Sequence, residues 1–270
     1  MNKARNPLRY LTTAAAIVAG VCALASSAQA VTLTVQDRDV ARAVSLGGSC
    51  TRCELSGRDL SGASFSGASF QDATLIGANL RAAVMMHSRF QSARFDETDL
   101  RGATMLGSNF ENASFRAANL TGIVATGSNF SDADLRMADL TGAELVGSVF
   151  READLRGARF ARAKMFGLSM QNADGRAADF RDAELIGANL AEADLRAANM
   201  SGANLTMSRL GDADLRLANV TGASMRRTDI RGTDLRGARG LTQDMIDQAC
   251  GNESTRLPSN LTVRVCRGRE

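Results

Sequence analysis

The residues of this chain with chemistry to offer are a few cysteines, one histidine and a long register of charge. His87 is the sole histidine, so acid–base work shared by two imidazoles is excluded. Met86 beside it could add a soft donor, but copper and zinc sites need more ligands at set spacing. His87 is therefore read as a surface corner residue. Carboxylates are plentiful but regular: Asp134, Asp154, Asp174, Asp194, Asp214 and Asp234, each followed two residues later by arginine, from Arg136 to Arg236. A catalytic carboxyl pair needs two unlike environments, and a column of repeated environments does not supply them. CTRC at 50–53 has redox spacing but lacks a thioredoxin-like context. No catalytic residue, cofactor or metal is assigned, and the chain reads as non-enzymatic.

Regular charge implies a regular scaffold. ADLR stands at 133–136, 153–156, 193–196 and 213–216, and ADGR fills the vacant slot at 173–176. Twenty is four times five, and from residue 53 to 237 the chain runs in fives without an insertion. The third residue of each five, from Leu55 to Leu235, is Leu, Phe, Met, Ile or Val, except Ala125 and Gly175. Two residues earlier stands Ala, Ser, Thr or Cys, except Arg58, Ile123 and Leu168. A period of five fits neither a helix at 3.6 nor a strand at 2. It fits a chain that turns a corner every five residues, four sides making one coil. Every twentieth residue then stacks on its like: Phe70, Phe90, Phe110, Phe130 and Phe150 form one column, Leu60 to Leu140 another. Coils about 4.8 Å apart leave room for continuous backbone ladders, which a proline would break. The two prolines, Pro7 and Pro258, lie outside the repeat. The absence of Trp and the single Tyr also suit a narrow interior.

Units such as ADLTG (138–142), ANLTG (118–122) and ADLRG (153–157) resemble the pentapeptide-repeat family, over about two thirds of the chain. The resemblance implies an all-β fold, a right-handed quadrilateral parallel β-helix with short terminal caps. It also implies a rival function, since some cytosolic members are similar in shape and charge to duplex DNA and modulate a topoisomerase. Here the net charge is +3 and Arg balances Asp, which argues against DNA mimicry; nucleic-acid binding is not expected either, because no basic stripe stands out.

The ends carry their own signals. Lys3, Arg5 and Arg9 precede an uncharged apolar run at 11–25, and ASSAQA ends at Ala30, the pattern of an export signal cleaved there. The run is shorter than the roughly 20 residues of a spanning helix, so no membrane span is expected in the mature chain, and Val21 before Cys22 disfavours a lipoprotein. The expected location is the periplasm or the exterior. Domains follow: signal peptide 1–30, N-terminal cap or linker 31–52, repeat 53–237, and a C-terminal helix and tail 238–270. Thr242 can cap a helix at about 243–249, with Met245 and Ile246 inward. Cys50 and Cys250 fall at opposite ends of the rod, beyond the reach of a disulfide; the expected pairs are Cys250 with Cys266 and Cys50 with Cys53.

Outward positions carry the functional expectation. Met86, Leu106, Thr126, Val146, Phe166 and Ile186 follow one another on successive coils, flanked by Gly107, Gly127, Gly147, Gly167 and Gly187. Five rungs span roughly 24 Å, and an apolar patch of that extent marks an interaction site. The chain is expected to be an extracytoplasmic structural or protein-interaction module, engaging a protein partner or a second copy through Met86, Leu106, Val146, Phe166 and Ile186. The Asp–Arg register is expected to be a solvated surface. Gly175 leaves a core vacancy that the large Leu168 is expected to fill, as Ile123 would beside Ala125.

Overall fold

A residue that turns the chain after every third extended one must solve two problems: a corner geometry and a place for its backbone groups. Both solutions are visible in the computed structural model, which describes residues 48–263, 265 and 266. The segments expected to be signal peptide and N-terminal cap, up to residue 47, lie outside the described residues. At nearly every corner the N–H of the residue opening the next side donates to the carbonyl three residues back, as in Ala63 N–H to Leu60 O at 3.1 Å; Ser88 N–H instead donates to Ser108 Oγ. The second corner residue is left-handed throughout, from Arg52 (φ 60°) to Gly237 (φ 70°). Positive φ there alone is the mark of a type II turn, and it explains why the fifth position is so often glycine.

Between corners each side contributes one parallel bridge, from Ser49↔Ser69 to Asn219↔Arg239, always to the residue twenty positions on. The central N–H of each side donates forward, Leu55 to Thr74 O at 2.7 Å, and the residue before it donates backward, Thr74 to Cys53 O at 2.8 Å. Four ladders thus run the length of the rod, the right-handed quadrilateral β-helix. The ladder already includes Ser49, so the coil begins one unit before residue 53. We name the sides by their central columns: face A from Leu55 to Leu235, face B from Leu60 to Val220, face C from Phe65 to Met225 and face D from Cys50 to Ile230.

The central and small columns form one buried interior. Phe70, Phe90, Phe110, Phe130 and Phe150 stack with ring centroids 4.7–5.1 Å apart, the coil spacing itself. A rung of hydroxyls runs beside them. Ser88, Ser148 and Thr228 donate to the carbonyls of Phe65, Ala125 and Leu205, 2.5–2.7 Å away. Each bond uses the second lone pair of a corner carbonyl, so a buried hydroxyl costs little where its acceptor is already fixed. Ser208 follows the same register, but its Oγ is buried without a partner.

The ADGR vacancy is filled differently from the expectation. A Cβ placed on Gly175 would meet Leu195 Cδ2 at 2.8 Å, with Phe180 Cε2 at 3.9 Å, and no atom of Leu168 is nearer than these. The leucine one coil on leans into the gap, because a side chain in a stacked column can shift along the axis more easily than a neighbour can cross the interior. Leu168 is buried in its own right, in the coil where Met170 succeeds the last phenylalanine of its column; Ile123 and Ala125 are both fully buried.

At the C-terminal end the period changes. A helix, α1, spans Gln243–Gln248, capped by Thr242 Oγ1 accepting from Met245 N–H, with Met245 and Ile246 buried. After this insertion the chain rejoins the ladders through Asp229↔Cys250 and Asp234↔Arg256, and Gly251↔Val265 begins one further rung. Disulfides close both ends, Cys50–Cys53 across the first corner and Cys250–Cys266 across the last rung, each with Cα atoms 5.3 Å apart. Cys50 and Cys53 are buried, which removes the accessible thiol that redox exchange requires.

Candidate interaction surface

With the interior closed, anything this rod does happens on its faces and corners. Among the described residues no group of His, Cys, Asp and Glu is placed to hold a metal, and no helix is long and apolar enough to cross a membrane. An open groove of about 470 Å³ lies on the corner between faces A and B, lined by Ile76, Arg94, Asp96, Arg116 and Met137 among others. It marks the coil where the charge order reverses, Arg94 taking the aspartate slot and Asp96 the arginine slot. Asp96 Oδ1 there accepts from the Ser114 hydroxyl and the Arg116 N–H.

From Asp134 to Arg236 the Asp–Arg register is continuous. Asp174 accepts two bonds from Arg176, Nε at 2.8 Å and Nη2 at 2.6 Å, and a third from its N–H. Arg156 of the preceding coil reaches the same carboxylate at 3.5 Å. Each carboxylate thus lies between two guanidiniums, which relieves the repulsion of like charges stacked coil on coil. Burial pushes the Asp134, Asp174 and Asp194 carboxyls up, but the hydrogen bonds of Arg136, Arg176 and Arg196 outweigh it and hold them below the usual range. At Asp234 the Arg236 side-chain bond is itself the largest influence, and the carboxyl is again lowered. The face is internally neutralised, and its charges are committed to one another.

The corner between faces C and D is the opposite case. Met86, Leu106, Val146, Phe166 and Ile186 lie in one column at the first corner position, as expected from the sequence, with Thr126 among them. They project less than a free outward position would: Val146 is 37% exposed and the other four are half-buried. Their neighbours one coil above and below cover part of each side chain. Along this corner no carboxylate occurs at either turn position from Ser66 to Arg227. The second position is glycine from Gly107 to Gly187, and Met207, 52% exposed, prolongs the apolar surface. His87 closes the other end, its ring lying over Gly107, 3.0 Å from where a Cβ would stand.

Sequence reasoning located the stripe and the Asp–Arg face but missed a third surface. The corner between faces D and A carries Glu111, Asp132, Glu152, Glu192 and Asp212, with no ion-pair partner within 4.0 Å among the described residues, an acidic excess over the Arg52, Arg151 and Arg231 that share its turn positions. The signal was present in the same twenty-residue columns, divided between two adjacent positions and hidden by the near-balanced total charge.

Comparison with known proteins agrees with this architecture. A pentapeptide repeat region profile matches residues 49–124, and the pentapeptide repeats profile matches segments from 108–145 to 206–239. Among curated proteins no sequence matches. Similar solved structures include HetL, a pentapeptide repeat protein involved in heterocyst differentiation regulation from the cyanobacterium Nostoc sp. It is 27% identical, with 76% of this chain and 93% of HetL covered and a TM-score of 0.47. The plasmid-mediated fluoroquinolone resistance protein QnrB1 is 18% identical over 67% of this chain and 91% of its own, with a TM-score of 0.42. A thylakoid-lumen pentapeptide repeat protein from Arabidopsis thaliana is 31% identical over 45% and 80%, with a TM-score of 0.22. Repeat phase, ladder geometry and the two profiles, which together span 49–239, place this chain in the pentapeptide repeat family.

Proposed function

We propose that this chain is a non-enzymatic, extracytoplasmic structural or protein-interaction module that binds a partner, or a second copy, through the corner between faces C and D. One observation carries the reading: five large apolar side chains on a corner without a carboxylate, on a rod whose longest charged face is paired within itself. Apolar surface left unpaired beside so much self-satisfied polar surface is what an interface requires. The export pattern ending at Ala30 supports a periplasmic or secreted location. N-terminal sequencing of the protein recovered from cell fractions tests this: a start at Val31 outside the cytoplasm is expected, and an intact Met1 in the cytoplasm refutes it. The interface is tested by changing Leu106 and Phe166 to Asp, which should abolish association while leaving the melt cooperative.

A second reading, mimicry of duplex DNA towards a topoisomerase, has the uncommitted acidic corner between faces D and A behind it. Net charge +3 stands against it. A supercoiling assay with purified chain separates the two readings, since inhibition that depends on Asp132 and Glu152 belongs only to the second.

A further inference from the structure

The apolar corner has distinctive ends. Arg89 flanks its start on face D, and Arg209, Arg226 and Arg227 cluster at its finish, all exposed. None of the four has a carboxylate within 4.0 Å among the described residues. Asp229, in the column of Arg209, is taken by Arg231 at 2.5 Å. On face A, by contrast, Arg136, Arg156 and Arg176 each hold a carboxylate at 2.5–2.6 Å. The corner is therefore an apolar stripe bracketed by cations outside any close ion pair, Arg209 feeling Asp229 only at longer range, and the two ends stand six to seven coils apart, roughly 29–34 Å.

We propose that this corner receives a protein segment whose apolar side chains are bracketed by carboxylates at both ends. The inference rests on the corner being an interface and adds the chemistry of its occupant. A second copy fits poorly. A corner roughly 24 Å long and 10 Å wide offers about 240 Å² to an identical corner, against the ~800 Å² per partner of a standard interface. It also presents arginine to arginine whenever the two rods align in parallel. A slender segment laid along the corner can instead touch the edges of faces C and D as well. A helix of about 20 residues covers roughly 30 Å, which matches the separation of the cations.

The test is selection of displayed random 20-residue peptides on the purified chain, with the winners re-measured on Leu106→Asp and on Arg226→Glu/Arg227→Glu, each checked by circular dichroism for an intact fold. The expected winners carry Asp or Glu near both ends of an apolar centre. They should lose at least tenfold affinity on either variant and weaken with added salt. Winners that need Leu106 but show no acidic bias, and bind the arginine variant undiminished, overturn the inference while the interface reading survives. Winners indifferent to Leu106→Asp, or no winners, overturn both. Two further arms cover other occupants. Co-sedimentation with phosphatidylserine vesicles that is lost in Leu106→Asp assigns the corner to a lipid surface. A Leu106-dependent dimer by light scattering assigns it to a second copy. Either result overturns the proposal.

Discussion

At Gly175 a single missing side chain is compensated from one coil away. Leu195 reaches into the space a Gly175 side chain would occupy, so the two positions should couple. Leu195→Ala alone should cost about 2–5 kcal/mol. Gly175→Ala alone should gain nothing, because its methyl collides with Leu195. Combined, the two should interact by roughly 0.5–3 kcal/mol, whereas Leu168→Ala with Gly175→Ala should be additive within about 0.5 kcal/mol; denaturant titration of the single and double variants decides. The replacement of Leu by Gly was legible in the sequence, and its neighbour was not. A five-residue phase says which way a residue points but not how far its side chain leans along the axis. The Asp–Arg register makes its own prediction. Asp134, Asp174, Asp194 and Asp234 are held below the unfolded carboxylate value of about 3.9. Their contribution is thus complete above that value and is lost as pH falls through the depressed folded values. Thermal stability should be flat from pH 5 to 9 and fall steeply below about pH 4. The guanidiniums are solvated, so Arg176→Gln should lower the melting temperature only slightly.

The corner is the element on which the fold depends, and it imposes one conformation on unlike residues. Met137 and Leu217 hold φ of 60° and 63° while more than half exposed. A left-handed L-residue costs about 1–2 kcal/mol, against the roughly 0.5–1 kcal/mol of flexibility that glycine brings. Leu217→Gly should therefore raise stability, by up to about 1 kcal/mol. Gly142→Val should lower it by at least about 1 kcal/mol even though nothing stands within 4 Å of the new Cβ. Thermal melts of the two variants moving in opposite directions check both. At the far end, the Cys250–Cys266 bond spans sixteen residues and holds a tail otherwise attached by one bridge, the bonds of the Gln243 side chain to Thr262 and the packing of Leu257 and Leu261 on the core. Its loss should release that tail to proteolysis with little change in the main melt; a drop in the melt of the whole rod would show that the tail is integral to the coil. The helix, its Thr242 cap and its buried pair were legible because capping is local. The return of the chain to the ladder at Cys250 and Arg256 was not, since it depends on an insertion that breaks the period.

For the whole molecule, the near-zero charge balance conceals a division of labour among surfaces: a self-paired face, an acidic corner and an apolar corner with basic ends. Composition argued against a uniformly charged rod. It could not show the segregation, because charges at adjacent corner positions fall in different columns of the repeat and meet only once the corner is folded. The apolar stripe was legible as a column, although its half-burial was not. The proposed function rests on this corner. Its most direct test is the state of association of purified chain and of the Leu106→Asp/Phe166→Asp variant, measured by light scattering alone and with proteins of the native compartment, with unfolding followed in parallel. The variant is expected to lose the complex that the parent forms with a captured protein while unfolding as cooperatively as the parent. An unchanged mass and an unchanged set of captured proteins would contradict it.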